Sequence, residues 1–291
     1  MTDHGHGPSF RRAFYRVVSI PIVGYALLLS WQKGWLPLPR RSTCVQLRDG
    51  RVLRFELADR TQRTMYLGLF EPGETRLIRE LLAAGDTFID VGAHIGWFST
   101  IAARRVGGTG QVIAVEPYHA NAVMLRENAE RNDCLNVSVA EMALGSEPGM
   151  LSLGQAGDSG SVTALEYAKA GRAPVRMAPL DDIAPGGGTV ALLKIDVEGW
   201  EAHVLRGAGK TLLRTRAVLI EVNREALRNA RSSPDELFRL LRESGFDSFQ
   251  PVARRGIRRL HRDPVENILA VRREVPPAGP GGVSAASMPR R

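Results

Sequence analysis

A chain of 291 residues with 44% hydrophobic and 24% charged residues has the composition of a soluble globular protein with a substantial core. Its net charge of +8 gathers near the ends, at Arg11, Arg12, Arg16, Lys33, Arg40 and Arg41 and again between Arg254 and Arg273. No aromatic-interleaved basic motif accompanies that charge, so no nucleic-acid partner is expected; Cys44 and Cys134 form neither a disulfide framework nor a zinc spacing and read as small buried or half-buried residues in a reducing compartment.

The most apolar run is "VVSIPIVGYALLLSW", residues 17–31. It is shorter than the roughly 20 residues that span a bilayer, and Pro21 and Gly24 interrupt it. Basic flanks and the tryptophans 31 and 35 suit a packed or membrane-interfacial helix. Residues 1–42 are therefore expected to form a basic, apolar segment able to associate with a membrane surface through residues 11–41. The expected location is the cytoplasm, peripheral at the inner membrane face. Next, "TCVQLRDGRVLRFEL" alternates around Asp49-Gly50, a hairpin signal. "ETRLIRELLAAG" then sets Leu77, Ile78, Leu81 and Leu82 on one helical face.

From residue 86 the pattern becomes strand, helix, strand. Apolar strands read at 87–91, 111–116, 136–141, 190–196 and 217–222, with helices at 96–105, 119–131 and 200–213. Near-continuous apolar strands alternating with helices imply a doubly wound, mostly parallel sheet. "SSPDELFRLLRESG" carries an N-cap at Ser233, a first-turn proline, a capping-box Glu236 and a terminal Gly245. Strands at 246–252 and 267–272 would finish the sheet as a hairpin. Residues 43–274 are thus one domain, with a Gly-, Ser- and Pro-rich loop region at 144–189, and 275–291 read as a disordered tail.

The first strand leads into Asp90-Val91-Gly92-Ala93-His94-Ile95-Gly96. Glycines there let backbone approach a ligand at a helix N-terminus. A dinucleotide fingerprint starting at Gly92 would need glycines at 94 and 97, where this chain has His94 and Trp97. Glu116 ends the second strand, where a carboxylate can accept hydrogen bonds from both ribose hydroxyls. A ribose acid without a pyrophosphate loop suggests S-adenosylmethionine, with its methionine end near Gly92–Gly96 and its ribose near Glu116.

These residues, with "GDTFIDVGAHIGWFS", "VIAVEPYHANAVMLRENAERN", "AEMALGSEPG", "APLDDI", "LLKIDVEGWEAHVLRGA" and "VLIEVN", resemble the FkbM family of S-adenosylmethionine-dependent methyltransferases over roughly residues 48–225. The resemblance implies a Rossmann-like class I methyltransferase fold, a seven-stranded sheet with helices on both faces and a reversed terminal hairpin. It implies O-methylation of a sugar, glycolipid or natural-product hydroxyl, and it places the adenine near Glu141, Met142 and Ala143. The family usually has Asn where this chain has His94.

A hydroxyl acceptor needs help in losing its proton. Asp196 and Glu198 of "KIDVEG" fall at the carboxyl end of the fourth strand, where ligands of open α/β sheets bind, and either could serve the chemistry or cap the next helix. His203, one turn into that helix, is a further candidate base, although a lone helical histidine is commonly a packing residue. Lys194 lies on the face of Asp196 and pairs with a carboxylate in this reading. Glu221 ends the fifth strand on the same edge and could contact substrate, while Asp181 and Asp182 belong to a turn or cap. Several acids at one edge could bind Mg²⁺, yet no spacing demands a metal, and none is assigned. Two alternatives stay open: a nicotinamide-dependent oxidoreductase on a similar sheet, and a non-catalytic S-adenosylmethionine-binding protein.

Overall fold

The computed structural model describes residues 42–151, 174–184, 186–252 and 265–272. The expected segment at 1–41, its membrane role and the tail at 275–291 lie outside the described residues. No helix of the described residues is long and apolar enough to cross a membrane.

A hairpin comes first, β1 (Ser42–Gln46) and β2 (Val52–Glu56), turning at Asp49-Gly50 as the sequence predicts. Two short helices follow, α1 (Arg60–Tyr66) and α2 (Pro72–Leu81). The main sheet then begins with β3 (Thr87–Val91), α3 (Trp97–Val106), β4 (Gln111–Val115), α4 (His119–Glu130) and β5 (Val137–Ala140). The Gly- and Ser-rich region contributes β6 (Ala143–Leu144), β7 (Gly149–Leu151), β8 (Val175–Ala178) and α5 (Leu180–Ile183), of which the three strands form a small separate sheet. The chain continues through β9 (Val190–Ile195), α6 (Glu201–Arg206), α7 (Gly209–Leu213), β10 (Thr215–Asn223), α8 (Arg224–Asn229), α9 (Pro234–Glu243), β11 (Ser248–Pro251) and β12 (Val265–Val271).

The main sheet has the order β11-β12-β10-β9-β3-β4-β5. β9, β3, β4, β5 and β10 run parallel, and β12 is antiparallel to both neighbours. The reversed hairpin is as expected. Alternate residues feed two cores. Phe88, Val112, Leu192 and Leu219 face α3 and the N-terminal hairpin, whereas Ile89, Ile113, Leu193 and Ile220 face α6 and α9. All six residues of β9 are buried, which explains its unbroken apolar run.

Three local differences from the sequence reading have simple causes. The helix expected over 200–213 breaks into α6 and α7 at Gly207, where a Cβ would stand 2.0 Å from the Gly145 carbonyl oxygen. At α9, Ser233 caps the Glu236 amide as predicted, but the Glu236 carboxylate accepts from Ser232 Oγ and pairs with Arg206. Cys134 is buried as expected, whereas Cys44 is exposed, on the outer face of a two-stranded hairpin.

The hairpin is held to the domain by polar side chains that the apolar pattern does not reveal. Arg51, only 2% exposed, donates Nη1 to the Trp97 carbonyl (2.7 Å) and to Thr100 Oγ1 (2.9 Å), while its Nε meets Asp49 at 2.9 Å. Two asparagines four residues apart, Asn128 on α4 and Asn132 in the turn just beyond it, complete the outer edge of β2. Asn132 accepts from the Val52 amide and donates to the Val52 carbonyl, both at 2.8 Å. Asn128 accepts from the Arg54 amide at 2.7 Å and donates to the Arg54 carbonyl at 3.4 Å. Each amide side chain thus acts as one residue of a missing strand, covering an edge that would otherwise be free to pair.

Arg51→Ala should destabilise the domain by about 2–4 kcal/mol, since it removes two buried charge-assisted hydrogen bonds, to the Trp97 carbonyl and the Thr100 hydroxyl, and empties the space of a buried side chain. Urea denaturation checks this; a loss under about 0.5 kcal/mol would show that Arg51 is not the pin.

Candidate active site

Two adjoining cavities open at the carboxyl edge of β3, β4 and β9, where an α/β sheet binds its ligands. The larger, about 120 Å³, is lined by residues that include His94, Glu116, Asn121, Lys194, Asp196 and Glu198. The smaller, about 30 Å³, is apolar, with Met142, Ala143, Leu151 and Trp200 among its walls. Gly92, Pro117 and Val197 border both.

The first loop explains its residue choices. Gly92 has φ +82° and Gly96 φ +84°, conformations that favour glycine. At Gly92 a Cβ would lie 1.8 Å from the Asp196 carbonyl oxygen, so the glycine first of all lets the ends of β3 and β9 touch. His94 also sits at φ +52°, a region that Asn, Asp and His enter more readily than other side chains, which accounts for the exchange of one for another here. Its amide donates to Glu116 Oε2 at 2.8 Å. Its Nδ1 is buried with no hydrogen-bond partner, and burial pushes the imidazole below its ordinary pKa against the pull of Asp59 and Asp196.

Glu116 is 4% exposed, and its other oxygen accepts the Tyr118 amide at 2.9 Å. The carboxylate therefore ties the β3–α3 loop to the start of α4 while forming part of the cavity wall. Burial pushes it up to about 7, despite those amides. Asp90 is buried beneath the loop, where Ser99 Oγ donates to it at 2.6 Å and burial raises its carboxyl.

On the opposite wall, Lys194 is buried and its Nζ lies 3.0 Å from Asp196 Oδ2. Burial opposes its charge, but the carboxylates of Asp196, Asp90 and Glu71 outweigh that and hold the ammonium above its ordinary value. Glu198 follows at φ +54°, in a turn organised from beneath by Glu201, whose Oε1 accepts the amides of Val197 (3.2 Å) and Gly199 (3.0 Å). Burial pushes Glu201 up to about 7 as well. Glu221 on β10 is 8% exposed, and burial together with Asp196, Glu198, Glu201 and Glu71 raises it well above the usual carboxylate range.

The structure thus gathers Gly92, His94, Glu116, Asp196 and Glu198 around one cavity and Met142 and Ala143 around the other. Gly96 stands behind, as the N-cap of α3 against Leu125. Glu141 is not brought in: its carboxylate turns to His119 (2.7 Å) and Arg126 (2.9 Å) on α4. His203 lines neither cavity. Its ring stacks on Trp200 at 3.6 Å and its Nδ1 meets Arg206 at 3.3 Å; burial and then Arg206 push its pKa down. Asp181 acts as a cap, as expected, but of the distant α7, through the amides of Lys210 and Thr211. Sequence reasoning missed Glu201, whose only sign was an acid in the first turn of a helix after glycine, and Trp200, whose Nε1 is buried without a partner beside the apolar cavity.

A mostly parallel seven-stranded sheet with its penultimate edge position reversed, and an acid-walled cavity over β3 and β4, defines a class I methyltransferase. The Methyltransferase FkbM domain matches residues 90–248, and the chain belongs to that family, whose cofactor is S-adenosylmethionine. The nicotinamide alternative falls with this assignment. No curated protein matches the chain. Among solved structures it is similar to a SAM-dependent O-methyltransferase from Thermotoga maritima, at 14% identity, 79% of this chain, 77% of that chain and TM-score 0.45. An rRNA methylase from Streptococcus thermophilus gives 11%, 68%, 93% and 0.42, and a SAM dependent methyltransferase from Aquifex aeolicus 15%, 68%, 88% and 0.40.

Two predictions test the site's construction. Gly92→Ala should lower the melting temperature by several degrees or prevent folding, because the methyl group meets backbone rather than a movable side chain. An unshifted melting temperature would contradict the contact. Separately, Glu116 and Glu201 keep protons in the native state that the unfolded chain releases at lower pH. Stability should therefore fall as pH rises from about 4.5 to about 7, by on the order of 3 kcal/mol for each group. Urea midpoints across this range should decline less steeply in Glu201→Gln than in the wild type.

Proposed function

We propose that this methyltransferase acts on oxygen, at a hydroxyl of a sugar, glycolipid or natural product. The observation that carries the reading is the pairing of the two cavities across Gly92: a small apolar slot adjoins a polar chamber with carboxylates on both walls. The unpartnered Trp200 Nε1 and His94 Nδ1 supply polar atoms that a ligand can satisfy. S-adenosylmethionine, when bound, supplies a methyl group made electrophilic by its sulfonium.

Met142, Ala143 and Trp200 would flank the adenine, and Glu116 would accept the ribose hydroxyls with lone pairs not used by the His94 and Tyr118 amides. Gly92, Gly96 and Asp90 shape the loop beside the methionine end, and His94 offers Nδ1 to it. This replaces the expected part of Glu141, whose carboxylate is engaged on α4. Asp196, with Oδ2 held by Lys194, keeps Oδ1 for an acceptor, and Glu198 stands beside it. These two, rather than His203, would orient the hydroxyl and take its proton as its oxygen displaces the methyl group from sulfur in line. A glycolipid acceptor would fit a protein brought to a membrane surface by residues 11–41, and a small hydroxylated metabolite would serve equally.

Calorimetry should show S-adenosylmethionine binding and no NAD binding, with affinity reduced at least tenfold in Glu116→Gln. In assays against a panel of hydroxylated acceptors, Asp196→Asn should lower kcat by about 10²-fold or more while the cofactor Kd moves less than about threefold. Full turnover in Asp196→Asn would remove it from the chemistry. Cofactor binding without turnover on any acceptor would favour a binding-only protein.

A further inference from the structure

The wall that carries Asp196 gathers three carboxyl groups at one place. Oxygen atoms of Asp196, Glu198 and Glu221 all lie within 4.8 Å of one another. The fold forces the meeting: Ile195, the last residue of β9, pairs with Ile220 of β10, so Asp196 just beyond β9 and Glu221 still within β10 stand side by side. Glu198 returns to the same place through the left-handed turn at 198–199. Lys194 contacts Asp196 Oδ2 and leaves its other oxygen toward the cluster.

A second observation concerns Glu221 alone. Its side chain is 8% exposed, and its Oε2 is out of contact with water and has no hydrogen-bond donor among the described residues. Buried carboxylate oxygens nearly always have a donor or a cation. This one faces two further carboxylates, an arrangement that repels itself unless a cation enters.

We propose that Asp196, Glu198 and Glu221 bind one divalent cation of the Mg²⁺ or Mn²⁺ type at the edge of the large cavity. The donor set selects the class. Three carboxylates and no Cys or His disfavour Zn²⁺, and three ligands are few for Ca²⁺, which takes six to eight oxygens. Around an octahedral ion with bonds of about 2.1 Å, ligand oxygens stand roughly 3.0–4.2 Å apart, so rotamer adjustments of the half-exposed Asp196 and Glu198 suffice to close the site. Three positions remain for water and, on the cavity side, for an acceptor oxygen. An ion there would orient a hydroxyl and ease its ionisation, a role that rests on the O-methylation reading.

The test uses the full chain, stripped with a chelator and titrated with Mn²⁺ in the absence of cofactor, free Mn²⁺ being followed by its paramagnetic resonance. One Mn²⁺ per chain is expected, displaced by excess Mg²⁺ and weakened at least tenfold in Glu221→Gln. Glu198→Gln, at the cavity wall, should weaken it similarly and serves if the buried variant fails to fold. Absence of stoichiometric binding, binding unchanged in a folded variant, or release of Mn²⁺ on saturation with S-adenosylmethionine would overturn the proposal; the last would mean that the acids hold the cofactor's ammonium. Methyl transfer by stripped protein that binds no Mn²⁺ would remove the ion and keep the methyltransferase reading. Retained Mn²⁺ binding with no hydroxyl methylated would keep the ion and remove the O-methylation reading.

Discussion

The whole site hangs on the approach of two strand ends. Where β3 and β9 leave the sheet, the Asp196 amide donates to the Val91 carbonyl at 3.0 Å, and the Asp196 carbonyl presses against Gly92 with no room for a side chain. One extra methylene at that place would part the strands, and with them the two cavities that share Gly92 as a common border. The same contact fixes where the chain turns after Asp196, and so where Glu198 returns. A glycine that invites description as a gap for ligand is first a weld between backbones.

Around that weld the protein keeps an unusual density of buried charge. Lys194 draws Asp196 and Asp90 toward it, while Glu116 with both oxygens and Glu201 with one hold backbone amides of the two loops that flank the cavity. Such groups contribute little net stability in a water-poor setting. Their effect is to set the loops in one conformation before a ligand arrives, and preorganised dipoles and charges are what transfer of a cationic methyl group requires.

The parallel sheet, its reversed hairpin and the helices between were legible because buried strands have to be apolar throughout and amphipathic helices have to repeat at 3.6 residues. Gly92, Glu116 and Asp196 were legible because they sit at strand ends, where position along the chain fixes position in space. What failed did so for lack of such a constraint. Glu141 follows a strand as Glu116 does, yet partners on the neighbouring helix, His119 and Arg126, draw it away. His203 lies at the right height but finds an aromatic face and an arginine nearer than the cavity. The meeting of Glu221 with Asp196 and Glu198 depends on the register of β9 against β10, which no local pattern encodes. Glu201 and Arg51 are charged residues in buried places, and sequence periodicity assigns such residues to the surface.

The two asparagines that stand in for a strand, Asn128 on α4 and Asn132 just after it, have a consequence for how the domain comes apart. The outer edge of β2 belongs, in hydrogen-bond terms, to a helix and not to a sheet. Its amides are therefore protected only while α4 and the turn after it hold, so hairpin edge and helix form one coupled unit in opening. That unit includes Asn121 and follows directly on Glu116. Slow breathing of the N-terminal hairpin would accordingly be felt as a loosening of the wall assigned to the ribose, in a part of the molecule that shares no strand with it.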